Sequence, residues 1–393
     1  MSAVSADVPL SEGGQLLLDR IQTPSDKPLW ILCWGGTNVL ASVLLEIERT
    51  RSASEAVKLR SKLRVYTISD QDDTGVWIRN KFPDIFYICS VHGWCQYGLA
   101  TWSGISGEHW YGFDEGGPDP AKISKDWIRT HIQIGPLGSN YPDFMFIPEG
   151  DTPTFLYLVQ NGLGIPECPE YGSWGGRYIR TDASGSGLAN GHYSDTADQV
   201  VGLDGHKHKS NQATIWRWRD AFQNDFAARM QWTLPADLGN FNHHPIISVN
   251  GDQGLKPLSL ESEAGSTIQL DASATYDPDP ADSIAFKWYQ YMDSSATQWS
   301  THHEVGRLEI HALNPAKSIV KVRLPPPDRC CVELISRKAV SKGQLLHLIL
   351  EVTDSGSPPL TSYRRVLIQT TNNQLVGGGG GADAIGDTMK SVV

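Results

Sequence analysis

The chain has 393 residues, more than one hydrophobic core usually serves, so two domains are expected. Its 44 acidic residues against 33 basic ones give a formal charge of −11, scattered along the sequence, which argues against nucleic acid or an anionic membrane as partner. No apolar stretch is long enough to span a bilayer, and Met1–Gly14 lacks the basic-then-apolar pattern of a secretion signal.

In chain order, Glu12–Ile21 reads as a helix. An apolar run, Leu29–Trp34, then breaks at Gly35 and Gly36 and passes through Thr37 and Asn38 into an amphipathic segment, Val39–Leu59. That is a buried strand, a tight turn and a helix whose first turn a side-chain oxygen can cap. Such a turn lets the backbone approach a ligand at a strand's carboxyl end, where open α/β sheets place their chemistry, or serves plain packing. Further strands are expected at Leu63–Ser69, Ile85–Val91 and Asp143–Pro148, with helices at Thr74–Lys81, Ser124–His131, Thr154–Leu158 and Gln212–Trp232. The alternation predicts an α/β fold with a doubly wound parallel sheet. A helix stands where a first strand belongs, so the sheet is expected to be incomplete at its N-terminal end.

From Pro245 on, only strands are read: Ile246–Asn250, Thr267–Leu270, Ile284–Tyr291, Val305–Ile310, Ser318–Leu324, Gln344–Thr353 and Tyr363–Thr370. With turns at Asp277–Pro280 and Asp354–Pro359, this predicts an all-β immunoglobulin-like sandwich around Trp288. The expected division is 1–243, α/β domain; 244–372, β-sandwich; and 373–393, a disordered glycine-rich tail.

Six cysteines show no metal-type spacing, and Cys33 and Cys89 fall in apolar runs as small buried hydrophobes. Of 13 tryptophans, 11 precede residue 240, and Trp94, Trp102 and Trp174 stand in loops rich in Gly, Ser or Tyr. Loop indoles beside glycines offer flat faces for stacking on sugar rings, or anchor large loops. Asp70, Asp72 and Asp73 follow the second strand, where they need a cation, an arginine or helix amides to offset their repulsion. Capping of the helix at Thr74 by Ser69, Asp70 and Asp73 is the plainer reading. Glu149 and Asp151 end the expected strand Asp143–Pro148; Asp151 either joins a polar site or caps the helix at Pro153.

His92 follows the third strand and, as a neutral imidazole, either donates to a ligand or is structural. The pairs His206/His208, His243/His244 and His302/His303 lack a zinc pattern. Arg217, Arg219 and Arg229, with Asp220 and Asp225, read as surface or interdomain ion pairs. Asp277, Asp279 and Asp282 resemble the acidic turns of polycystic-kidney-disease-like and cadherin-like modules, which sometimes hold Ca²⁺. With Pro278 and Pro280 interleaved, a plain turn is the preferred reading.

Several tracts together carry a family resemblance: LSEGG at 10–14, CWGGTN at 33–38, YTISDQDD at 66–73, ATWSGISG at 100–107, GPLG at 135–138, EGDTP at 149–153, WGGRY at 174–178 and SNQATIWRWR at 210–219, followed by QNDFAARM at 223–230. Through them residues 8–370 resemble the cellulose-binding proteins of bacteria and fungi that join a nucleoside hydrolase-like domain to a C-terminal β-sandwich. The chain looks like a fungal, N-terminally truncated member. Such relatives begin with a further strand ending in clustered aspartates, and no D-x-D or D-x-x-x-D-D run occurs here before residue 70. Either the gene product is truncated or the metal site has been lost.

The resemblance implies N-glycosyl hydrolysis as the ancestral chemistry, with Ca²⁺ orienting the attacking water. It implies Asp151 and the carbonyl near Trp34 as metal ligands, and Asn38 facing the pocket. Asp70 and Asp73, at the same sheet edge, join the metal candidates. Asp151, Glu149 and His92 are the catalytic candidates, and Trp94, Trp102 and Trp174 the sugar-binding ones. The expected partner is a carbohydrate (cellulose or cell-wall glycan) or a nucleoside-like small molecule, met outside the cell. The other reading is a non-catalytic cellulose binder.

Overall fold

The computed structural model describes residues 4–5, 7–93, 95–182, 191–235, 241–295, 304–333 and 336–376. The expected tail lies almost wholly outside these, as do Trp94, His302 and His303. Leu29–Cys33, Leu63–Thr67 and Phe86–Cys89 are neighbouring parallel strands, with Leu29 opposite Leu63 and Arg64 opposite Phe86. Tyr193–Asp195 adds a short parallel strand beside the third, and Tyr178–Arg180 closes that edge antiparallel. The expected all-parallel sheet is therefore mixed.

Strand periodicity sorts the side chains onto two faces. Leu63, Val65, Tyr87 and Cys89 share one core with Leu18, Leu44, Ile47 and Ile78 of the helices, whereas Tyr66 and Ile88 point to the other face, against Tyr157 and Tyr178. Both faces are thus covered, as parallel strands require. The expected helix Val39–Leu59 divides into Asn38–Thr50 and Ala53–Arg60. Ser52 restarts it with a capping box: its hydroxyl accepts from the Glu55 amide while Glu55 accepts from the Ser52 amide at 3.0 Å. Gln212–Trp232 likewise divides into Ala213–Trp216 and Arg219–Gln231.

Asp143–Pro148 is irregular rather than a strand. Pro142 before it and Pro148 at its end lack amide donors, Phe144 packs on the cluster of Ile128, Ile132, Ala227 and Met230, and Met145 and Phe146 are exposed. Gln133 Nε2 donates to the Tyr141 carbonyl and to Asp143, both at 3.1 Å, and so ties this loop down.

The carboxy-terminal part holds two sheets. One runs Leu258–Glu263, Thr361–Thr371, Lys342–Asp354, Ile284–Gln290; the other runs Thr267–Asp271, Ile319–Arg323, Glu309–Ala312. Their inward residues, among them Leu270, Val322, Leu348, Leu350 and Val366, form one core. The sequence reading missed Leu258–Glu263 and began Glu309–Ala312 too early. Trp288 sits at the margin of this core rather than its centre, donating from Nε1 to the Lys317 carbonyl at 3.0 Å.

A further apolar cluster joins the two parts: Leu163, Trp174, Ile215 and Trp218 pack against Tyr291, Ile349 and Tyr363. Polar groups are buried with it. Asp198, fully buried, accepts from Arg177 at 2.7 Å, Arg217 at 2.6 Å and the Tyr291 hydroxyl at 2.6 Å. Arg365, also fully buried, donates to the carbonyls of Leu163 and Tyr171 and to His347 Nδ1 at 2.8 Å. Arg217 is thus a junction residue, as one of the two expectations had it. Arg219 is buried and holds Glu108 with two hydrogen bonds.

Candidate functional site

A cleft of about 500 Å³ opens at the carboxyl ends of the first two strands, between Trp34, Ile68 and Gln71 on one side and the segment Ile147–Thr152 on the other. Tyr97, Trp102 and Tyr111 complete its wall. Trp34 follows the first strand with 57% of its surface exposed, and its indole Nε1 donates to Thr154 Oγ1 at 2.6 Å. That bond fixes the ring against the short helix Pro153–Leu156. A Cβ at Gly36 would overlap the Asp72 carboxylate, so the bend after Trp34 requires glycine. Asp72 accepts from the Thr74 amide at 2.9 Å, whereas Asp73 at the N-cap makes no side-chain capping bond, so the acceptor is not one of the residues expected to cap this helix.

Asp70 and Asp73 are not brought into the cleft. Both oxygens of Asp70 are held by Arg79, at 2.8 and 2.6 Å, with the guanidinium 5.2 Å from the Tyr87 ring centre. Asp73 is exposed just before the helix Thr74–Lys81. Asn38 is likewise exposed, at the start of its helix and away from the cleft lining.

His92 lies behind the wall. Trp102 Nε1 donates to Ser69 Oγ at 3.1 Å, Ser69 stands 2.8 Å from His92 Nε2, and His92 Nδ1 stands 2.8 Å from the Gly93 carbonyl. A carbonyl only accepts, so Nδ1 carries the proton and Nε2 accepts from Ser69. Both ring nitrogens are therefore engaged. Trp102, 6% exposed, meets Tyr111 edge to face at 5.9 Å, so it supplies an edge of the wall rather than a stacking platform.

Glu149 and Asp151 face the cleft in different states. Tyr141 and Thr152 each donate a hydroxyl to a separate oxygen of Glu149, and Ser106 Oγ donates to its carbonyl at 2.6 Å. The Asp151 carbonyl accepts from the Thr154 amide at 3.1 Å and starts the helix. Its carboxylate has no hydrogen-bond or ion-pair partner among the described residues. Burial, and then the charge of Glu149, raise the Asp151 pKa from its ordinary value.

Trp174 corrects the sequence reading. It is 1% exposed, donates to the Tyr363 hydroxyl at 3.3 Å and belongs to the cluster joining the two parts. The glycines around it serve close packing: a Cβ at Gly175 would overlap the Pro153 carbonyl. Trp94 lies outside the described residues. The reading missed Gln71, Tyr97 and Tyr111, and also Trp110 and Phe146, which are 54% and 55% exposed with ring centres 4.2 Å apart. Their neighbours Tyr111 and Ile147 line the cleft. The signal was present in Trp110-Tyr111 and in Phe146, which was assigned to a buried strand.

A Ca²⁺ ion takes six to eight oxygens. Asp70 is committed to Arg79, the Glu149 oxygens already accept hydroxyls and Asp73 stands apart, leaving Asp151 as the one unpartnered carboxylate of the cleft among the described residues. That does not fit a Ca²⁺ shell. Among the described residues, the acidic or ligating groups that do converge are Asp277, Asp279 and Asp282.

Residues 1–178 match the family model of the nucleoside hydrolase-like domain of cellulose-binding Sde182, and residues 267–370 match that of the C-terminal domain of cellulose-binding protein Sde0182. A solved structure of a nucleoside hydrolase-related hypothetical protein from Saccharophagus degradans, associated with carbohydrate metabolism, is similar with a TM-score of 0.70 and 30% identity. The match covers 94% of this chain and 78% of the other. No match is found among curated proteins.

Proposed function

The chain belongs to the cellulose-binding Sde182 family with a nucleoside hydrolase-like domain, and from that premise we propose that its cleft binds a plant cell-wall glycan, cellulose foremost. The observation that carries this is the Asp151 carboxylate: half-buried, unpartnered and set in a cleft with aromatic walls. A sugar ring has an apolar face and a rim of hydroxyls. The exposed face of Trp34 suits the first, and Asp151, with Gln71 and Thr152 beside it, suits the second. Hydrogen bonds from hydroxyls to an ionised carboxylate are about twice as strong as neutral ones. The exposed pair Trp110–Phe146 would extend the contact along a longer chain.

The two carboxy-terminal sheets around one core support an immunoglobulin-like sandwich as a scaffold for the cleft-bearing part. A wall-directed role places the protein outside the cell. The test is titration of the full chain with a cello-oligosaccharide, together with retention on microcrystalline cellulose. Trp34→Ala and Asp151→Asn should each weaken both, and unchanged binding in both variants would remove the proposal.

A second reading, N-glycosyl hydrolysis, draws on the raised pKa of Asp151, which suits a group that takes a proton from water. The water oxygen would attack the anomeric carbon while the N-glycosidic bond breaks and the departing base takes up a proton. Glu149 is occupied in the cleft and both nitrogens of His92, behind its wall, are engaged, so neither is free to protonate the departing base. Nucleoside hydrolysis by the wild type that is lost in Asp151→Asn would establish it.

A further inference from the structure

Away from the cleft, at the junction of the two parts, oxygen atoms gather without enough positive charge. One carboxylate oxygen each from Asp277, Asp279 and Asp282 lies within 4.8 Å of the others. An acidic turn alone would mean little, but a second carboxylate-bearing segment closes on it. Asp354, at the end of the strand Lys342–Asp354, is 6% exposed. Its Oδ1 accepts from Asn242 Nδ2 at 3.0 Å and from the amides of Gly356 and Leu360 at 2.9 Å, whereas its Oδ2 is buried with no partner. The next residue, Ser355, donates to Asp282 at 3.1 Å, so this segment touches the acidic turn.

Two more oxygens share the condition of Asp354 Oδ2. Asp277 Oδ2 and Asn242 Oδ1 are both buried and both lack a hydrogen-bond partner. Buried polar atoms are rarely left so and call for a missing partner; Asp354 stands outside the trio that converges within 4.8 Å but is tied to it through Ser355 and Asp282, and Asn242 lies against Asp354. Among the described residues no Lys or Arg pairs with these four aspartates; His243 is the neighbour of Asp279, its amide donating to Oδ2 at 2.7 Å and its Nδ1 standing 3.0 Å from Oδ1. Every unfilled donor is a hard oxygen, which selects a Ca²⁺-like ion over zinc.

We propose that Asp277, Asp279, Asp282 and Asp354, with the Asn242 amide oxygen, bind a divalent cation of the Ca²⁺ class at the junction. The ion would fasten the segment leaving the first part to the foot of the sheets. Asn242 already accepts from Trp232 Nε1 through its carbonyl at 3.1 Å, and His244 stands 2.9 Å from Asp225 of the helix Arg219–Gln231. A cation held by Asn242 and the four aspartates would make that connection rigid and so fix how the cleft-bearing part sits on its scaffold. This inference does not depend on what the cleft binds.

The experiment is calorimetric titration of the EGTA-treated full chain with CaCl₂, paired with thermal melts. The wild type should bind one ion with a dissociation constant at or below about 1 mM and melt higher with Ca²⁺ than with EGTA. Asp277→Asn and Asp279→Asn should each weaken binding at least tenfold, while melting in EGTA no lower than the wild type, since each removes a repelling charge. Asp151→Asn should bind like the wild type. No heat and no melting shift in the wild type up to about 10 mM Ca²⁺ would overturn the proposal. So would undiminished binding in both turn variants, or binding lost in Asp151→Asn instead.

Discussion

Trp174→Ala separates the junction from the cleft. The indole is fully enclosed by the cluster that joins the two parts, and its N–H reaches the buried Tyr363 hydroxyl. Truncating a buried tryptophan to alanine costs about 3–5 kcal/mol through lost transfer energy and the cavity left behind. The widowed Tyr363 hydroxyl belongs within that range, at about 1 kcal/mol. By contrast, Trp34 is more than half exposed, and Trp34→Ala removes little beyond its bond to Thr154, about 1 kcal/mol. Urea unfolding of the full chain, followed by circular dichroism, measures the first quantity, and retention on microcrystalline cellulose per folded molecule measures the second. Trp174→Ala should lose stability and keep retention, whereas Trp34→Ala should keep most stability and lose about tenfold in retention, or about 1.4 kcal/mol. A Trp174→Ala protein within about 0.5 kcal/mol of wild-type stability that no longer held cellulose would refute the assignment.

Asp198→Asn leaves Arg177 and Arg217 buried without their shared carboxylate and should cost about 3–5 kcal/mol in chemical denaturation; Tyr291→Phe, which removes one hydrogen bond to Asp198, should cost about 1 kcal/mol. Asp151 carries a raised pKa, so its ionised form is disfavoured in the fold, and Asp151→Asn should stabilise the protein at neutral pH. That gain should vanish as pH falls through the folded pKa, where the wild-type group also becomes neutral; melting temperatures across pH 3 to 7, roughly the span of carboxylate titration, would show it. His347 is held well below its ordinary pKa by burial and then by Arg365 and Arg177. The unfolded chain takes up its proton near pH ~6.5 and the folded chain does not, so stability should fall as pH drops below that value. His347→Gln, which keeps an acceptor for Arg365, should flatten the dependence of the urea midpoint on pH there.

The first three strands and the helix Thr74–Lys81 were legible because apolar runs end at glycines or acidic caps. Tyr193–Asp195 was not, since three residues that pair with the third strand through Ile88 and Tyr193 leave no periodic trace. Phe144-Met-Phe-Ile147 reads as a buried strand, yet it has no sheet neighbour and exposes Met145, so composition misled where pairing decided. The Gly35–Gly36 bend and Asp151 were placed at one edge by counting strand ends. The commitment of Asp70 to Arg79, nine residues on, was missed because the acidic run was weighed without the helix face opposite. Asp354 and Asp277 lie far apart in sequence, and only the folded chain links the segment of Asp354 to the acidic turn, through Ser355 and Asp282.

The central claim is a glycan seated between Trp34 and Asp151, and calorimetry with a soluble cello-oligosaccharide tests it most directly. The wild type should release heat with a single binding site, and the double variant Trp34→Ala/Asp151→Asn should give none while its circular dichroism spectrum stays that of the wild type. Equal heats from the two proteins would contradict the claim.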